Sequence, residues 1–294
     1  MHTLVVLGLV GFGAQLINGS LGMGYGVTST SALLAVGTAP ALASATVNLS
    51  QVGSQLVSGY THWRFGNVDW DIVRRVALPG AAGAFTGALV LSRLSTAAAR
   101  PLMAIILIFL GGYVLVRFTM WGTPRGQLGR RIRSRVLMPI GLVGGFVNST
   151  GGGGSGPIIT SALLATGRLT PRMVVGSISA AEFAVVSAGS AGFVAGLGLG
   201  GIDLAWVSVM LAGGVLAAPV AAWLTKHVPG RMLGSLIGGL IVVVNLHNLF
   251  QVGGAVVPTG TATAILAGAV LAWMCAVAWS AREHLRTGRA DVVR

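Results

Sequence analysis

The sequence predicts an all-α polytopic membrane protein made of two inverted repeats. Three observations carry this. Hydrophobic residues make up 54% of the 294 and charged residues only 9%, against about 25% charged in soluble domains. Apolar stretches of membrane-spanning length fill nearly the whole chain, with short polar stretches between them. Two segments also read alike, NGSLGMGYGVTSTSALLAVG from Asn18 and NSTGGGGSGPIITSALLATG from Asn148. Residues 18–38 and 148–168 share 11 of 21 positions without a gap. A transmembrane barrel would show short alternating segments, and these are absent.

The hydrophobic segments fall at 4–36, 41–61, 72–92, 100–118, 136–166, 172–196, 203–224, 232–252 and 259–280. The first and fifth exceed the roughly 20 residues of a bilayer span, and each is broken by its glycine run. From Val136 to Val147 a helix rises only ~18 Å, about half of a ~30 Å hydrocarbon core. Ile158 to Thr166 is similarly short. Each long segment is therefore expected to be a re-entrant pair of half-helices, the alternative being one long unwound span. The second segment places Ser44, Asn48, Gln51, Gln55 and Ser58 on one helical face, as interhelical glue or as a pathway lining. The third and seventh carry Gly80, Gly83, Gly87 and Gly213, Ala217, Ala221, spaced for tight helix packing. Asp69 and Asp203, just ahead of them, read as helix caps. The resulting organisation is a first repeat over 1–118, a basic linker over 119–135, a second repeat over 136–252, and a final helix with a basic tail over 253–294.

Charge orients the segments. The net charge of +13 is not a nucleic-acid signature here, because most arginines lie in loops and in the tail, where they mark the cytoplasmic face. The linker holds Arg125, Arg130, Arg131, Arg133 and Arg135, and the tail Arg282, Arg286, Arg289 and Arg294. Both are expected to be cytoplasmic, which requires the fifth segment to return to the face it entered. Matching segments then run in opposite directions, the mark of an inverted repeat. Arg93 and Arg100 are the exceptions, on the outer face. Cys275 is the single cysteine, so no internal disulfide or redox pair is available.

The glycine runs are the candidate substrate site. Close packing explains glycines by themselves, but both runs interrupt a segment, include hydrogen-bonding side chains and precede a helix. Non-helical backbone at membrane depth survives only where protein or a water-filled cavity satisfies it. Helix-start N–H groups attract anions, and Gly156-Pro157 reads as such a start. The expected substrate-binding residues are Asn18, Ser20, Gly22 and Gly24 from the first run. Asn148, Ser149, Thr150, Gly152, Gly153, Gly154 and Ser155 come from the second, and Asn48, Gln51 and Ser179 from adjoining helices. Glu182 is the one acidic residue deep in a hydrophobic segment, and it aligns with Gln51. An ionised carboxylate there is costly, so it is either protonated or in a wet cavity. Proton coupling is the favoured reading, and a purely hydrogen-bonding role the other.

Together these features resemble the TauE/SafE family of sulfite-exporter or toluenesulfonate-uptake type permeases. The resemblance rests on the paired motifs NGSLGMGYG and NSTGGGGSG with their TSALLA helices, the loop HWRFGNVDW, and the Gly/Ala-rich third and seventh segments. It covers about residues 8–250 and implies two related membrane halves that move small sulfur-containing anions. The role of Glu182 is read from this sequence alone. The second half has no counterpart of the basic HWR loop, so two equal anion gates are not expected. The expected function is a secondary transporter of the cell membrane for sulfite or an organosulfonate, working by alternating access with proton coupling. Its expected partners are the anion, protons and the lipid bilayer, without nucleic acid, cofactor or resident metal. No HExxH, paired cysteines or phosphate loop is present, so an enzyme is not expected. The rivals are the membrane subunit of an ABC-type importer, whose ATPase would be another chain, and a cation or metal carrier, which would want more ligands than one membrane Glu.

Overall fold

A computed structural model describes residues 2–292 except 22, 121–131, 153–154, 167, 225–229 and 253–257. Among these residues the chain is helical throughout, without strands. The helices of the first repeat are α1 (His2–Leu21), α2 (Tyr25–Ala35), α3 (Pro40–Arg64), α4 (Trp70–Arg93) and α5 (Thr96–Met120). Those of the second are α6 (Ser134–Thr150), α7 (Ser155–Ala165), α8 (Pro171–Leu197), α9 (Leu204–Leu224) and α10 (Gly230–Val252), followed by α11 (Thr259–Val292).

The two halves start their helices by the same local chemistry. Proline opens both α3 and α8, as Pro40 and Pro171, where its missing N–H costs no hydrogen bond. Asp69 Oδ1 accepts from the N–H groups of Asp71 and Ile72 at 2.9 and 3.3 Å. Asp203 Oδ1 does the same for Ala205 and Trp206 at 2.9 and 3.3 Å. Both aspartates are thus caps.

The breaks fall later than the sequence suggests. Helix α6 does not stop at Val147 but runs 17 residues to Thr150, a rise of about 26 Å. Asn148, Ser149 and Thr150 are helical, because Thr150 bonds back to the Phe146 carbonyl at 2.8 Å and Asn148 finds side-chain partners described below. Likewise Asn18 and Ser20 lie on α1, and the first break comes only after Leu21. Helices α2 and α7 have 11 residues each, so each rises about 16 Å. Each break contains a glycine in the left-handed region, Gly24 at φ 111° and Gly152 at φ 72°, a conformation that side chains disfavour.

Burial is reversed relative to a soluble protein. Ser44, Asn48, Gln51, Gln55 and Ser58 of α3 are all buried, while Leu9, Leu78, Phe109, Leu216, Leu271 and Trp279 are exposed. Four helices, Trp70–Arg93, Thr96–Met120, Arg172–Leu197 and Gly260–Arg282, are long and apolar enough to cross a membrane. The polar row of α3 lowers its hydropathy without exposing it to lipid, because the row faces other helices. This is a multi-pass helical membrane protein.

Four buried cores hold the described residues together, each mixing helices of the two halves, and two of them show the pattern. One joins Leu7 and Ala14 of α1, Tyr25 and Leu33 of α2 and Val47 of α3 to Met210 of α9. The other joins Leu137 of α6, Ile159 of α7 and Ile178 of α8 to Val76 of α4. Small residues let backbones touch at both seams. Gly80 lies against Gly141 and Gly145, and Gly87 against Phe146, so α4 and α6 run parallel. Gly8 lies against Val209 and Gly213, and Gly19 against Ala221, so α1 and α9 also run parallel. Where matching helices meet, the direction reverses. Gly59 contacts Ala180 while Gly189 contacts Asn48, which makes α3 and α8 antiparallel. Gly111 contacts Ile241 and Thr119 contacts Ser235, which makes α5 and α10 antiparallel. Helix α11 packs at the edge, with Ser280 bonded to Ser235 at 2.7 Å.

Candidate functional site

The second glycine break sits over a buried chain of hydrogen bonds that joins the two repeats. It begins on α3, where Ser44 Oγ donates to the Ser149 carbonyl at 2.6 Å. One turn on, Asn48 Nδ2 donates to the Ser44 carbonyl at 2.9 Å. Asn148 Nδ2, near the end of α6, donates to Asn48 Oδ1 at 2.8 Å. The other amide atom, Asn148 Oδ1, lies 3.1 Å from Ser155 Oγ, the first residue of α7. Ser155 Oγ also lies 2.7 Å from Glu182 Oε1 on α8. Gln55 Nε2, back on α3, donates to Glu182 Oε2. All six of these side chains, from Ser44, Asn48, Gln55, Asn148, Ser155 and Glu182, are buried.

The geometry follows from helical spacing. Ser44, Asn48 and Gln55 share one face of α3, and the antiparallel crossing of α8 brings Glu182 to that face. Gly189 leaves room for the chain, since a Cβ there would meet Ser149 Oγ and Asn48 Oδ1. The first repeat reaches the break directly as well. Thr30 Oγ1 of α2 donates to the Gly152 carbonyl at 2.5 Å. A side chain at Gly152 would collide with Thr30, so this glycine is required both by its φ and by the close approach.

Of the expected residues, Asn48, Asn148, Ser149, Ser155 and Glu182 come together, with Gly152 beside them. Asn18, Gln51 and Ser179 are buried on α1, α3 and α8, but among the described residues they are not links of this chain. Thr150 bonds within α6, and Gly24 is the residue before α2. Gly22, Gly153 and Gly154 lie outside the described residues, as does the Ser20 side chain. The sequence reading missed Thr30, which looked like plain helix within TSALLA. It also left Ser44 and Gln55 out of the site, although they share the Asn48 face. Gln15 is buried three residues before Asn18, with Oε1 unpartnered among the described residues. It lines a cavity of about 310 Å³ with Ser58, Thr61 and His62, toward the end of α3.

Among the described residues the site offers amides, hydroxyls and one carboxyl, and no cationic side chain belongs to the hydrogen-bonded chain. Ser149 Oγ and Gln51 Oε1 are buried and unpartnered among the described residues, so hydrogen-bonding capacity remains.

Comparison with known proteins agrees with this architecture. The sequence model of a family described as sulfite exporter TauE/SafE matches residues 7–248. A relative from Bacillus subtilis (strain 168), described as probable membrane transporter protein YtnM, is 44% identical over 252 residues, covering 85% of this chain and 84% of its own length. No solved structure matches the chain.

Proposed function

The chain belongs to the sulfite exporter TauE/SafE family, and from that premise we propose that it is a secondary transporter for a small anion, sulfite or an organosulfonate, in the cell membrane. The observation that carries the proposal is the buried chain from Ser44 to Glu182, which ties both repeats together where α6 unwinds. Substrate binds at the two breaks, against the starts of α2 and α7, with N–H groups and the polar side chains of the breaks as donors.

Alternating access comes from inverted repeats. The helix directions support this: matching helices α3 and α8, and α5 and α10, are antiparallel, as a two-fold axis across the helices requires. In this reading α1–α2 and α6–α7 are the re-entrant units. The linker 119–135 and the tail are cytoplasmic.

Glu182 couples a proton to the anion. An ionised carboxylate and an anion repel at close range in a poorly solvated site, so the anion binds with the protonated carboxyl. Ser155 has one hydroxyl proton and two acceptors in reach, Asn148 Oδ1 at 3.1 Å and Glu182 Oε1 at 2.7 Å. When Glu182 is ionised, Ser155 donates to it. When Glu182 is protonated, its own O–H donates to Ser155, which then donates to Asn148. Protonation is thus relayed to the end of α6 as a reversal of hydrogen bonds.

The test is uptake into proteoliposomes without ATP, using sulfite, thiosulfate, sulfate, methanesulfonate and taurine. At least one anion should accumulate. Asn148→Ala should cut that transport by about 10-fold or more, since it leaves buried Asn48 Oδ1 without its donor and removes the acceptor that Ser155 needs when Glu182 is protonated. If no member of the panel moves without ATP, the reading fails.

A further inference from the structure

The face of the molecule where α2 ends and α5 begins holds a second polar feature. It lies at the end of α5 remote from Met120 and the linker that follows. A cavity of about 330 Å³ opens there, lined by Arg100, His247 and Asn248 with Leu34, Ala35 and Gly37. Arg100 is positioned by a hydrogen bond from Nη2 to the Gly37 carbonyl at 3.2 Å. Asn248 Nδ2 is buried and has no acceptor among the described residues. Among the described residues no carboxylate lines the cavity. A guanidinium, an imidazole and an unpartnered amide N–H around one cavity make a donor set for an oxyanion. Arg100 also departs from the charge pattern, since apart from Arg93 and Arg100 the loop arginines are expected on the opposite face.

A second cavity lies beside it. It is smaller, about 150 Å³, shares Ala35 and is lined by Thr28, Ser31 and Ala32 of α2 with Leu240, Ile241 and Val244 of α10. Asn245 Nδ2 donates to Ser31 Oγ at 2.7 Å. Asn245 Nδ2 also donates to the Ile241 carbonyl at 2.8 Å and Ser31 Oγ donates to the Val27 carbonyl at 2.7 Å, while Asn245 Oδ1 and Thr28 Oγ1 are buried and unpartnered among the described residues. Asn248 and Asn245 are one turn apart on α10, and Ser31 and Thr28 one turn apart on α2. The other half copies these residues only in part, since Ser31 corresponds to Ser161 but Thr28 to Ile158.

We propose that the groove between α2 and α10 opens onto an outer capture site for a small oxyanion or sulfonate, at Arg100, His247 and Asn248. The transport reading is needed only to place this site on the non-cytoplasmic side; the charge selectivity stands without it. Arg100 draws the anion in, and the Asn248 amide and the His247 imidazole replace part of its water. The site lies outside both glycine motifs.

A cysteine probe tests the selectivity in the whole protein, independently of transport. Ala35 is exposed and lines both cavities. In a Cys275→Ser background, Ala35→Cys is reacted with two methanethiosulfonates of similar size, the anionic ethylsulfonate and the cationic ethyltrimethylammonium reagent. The anionic reagent should react at least about 5-fold faster, and methanesulfonate should slow it. Arg100→Gln should abolish the preference, and Arg100→Lys should keep most of it. Equal rates for the two reagents, or a preference unchanged in Arg100→Gln, overturns the capture site. If the preference is present but the proteoliposomes move no anion, the transport reading fails and the binding site stands. A transported anion should show about 10-fold higher KM in Arg100→Gln from the groove side only; an equal rise from both sides assigns Arg100 to the central site and overturns the proposal.

Discussion

Glu182 is the residue on which the chemistry turns. Its two oxygens face Ser155 and Gln55, and both partners suit a glutamine. In Glu182→Gln the new carbonyl oxygen accepts from Gln55, and the new amide donates to Ser155. The variant therefore copies the protonated state and holds it. Binding and exchange of the anion should persist, while accumulation driven by a pH gradient should vanish. Unchanged pH-driven accumulation at equal protein level would leave Glu182 a structural residue. The sequence singled out Glu182 because a lone acid in an apolar helix is costly. It could not pair Glu182 with Gln55, because 127 residues separate them and only the crossing of α3 and α8 joins them.

At the scale of elements, the seams between repeats depend on glycine rather than on large apolar surfaces. Gly145 contacts the backbone of Gly80, and Gly213 contacts that of Gly8. A side chain at these positions must push two helices apart. Gly145→Val should therefore cost about 1–3 kcal/mol or more, read as a lower unfolding temperature in detergent. Gly13, with nothing near its Cβ position, is the control, and Gly13→Ala should be nearly neutral. An unchanged melting temperature for Gly145→Val would mean that the α4–α6 seam carries little stability. Small-residue spacing was legible for α4 and α9, but their partners were not. Helix lengths were misjudged at the breaks, because Asn148 and Thr150 look like loop residues until their hydrogen bonds make them the last turn of α6.

For the whole molecule the question is how the repeats are related. Val36 and Thr166 occupy matching positions at the ends of α2 and α7. Two parallel repeats would put both on one face of the membrane, and inverted repeats put them on opposite faces. In the Cys275→Ser background, Val36→Cys should label from outside and Thr166→Cys from the cytoplasm with a membrane-impermeant maleimide. Labelling from the same side would remove both the inverted repeat and the alternating-access mechanism built on it. Leu199, exposed after α8, is an independent check, and Leu199→Cys should label from outside.

The sequence by itself determined the membrane class, the duplication, the caps at Asp69 and Asp203, and the polar face of α3. Each of these is a local property: composition, periodicity, or a residue's effect on its own helix end. The tertiary structure decided which polar side chains meet. Asn48 finds Asn148 and Gln55 finds Glu182 because each core takes a helix from the other repeat, and because α3 and α8 cross antiparallel. It also gathered Arg100, His247 and Asn248 around one cavity, although in the sequence they read as a stray charge and a segment end. Hydrogen bonds between distant residues depend on the relative placement of whole helices, and helical periodicity fixes only the face from which each residue reaches out.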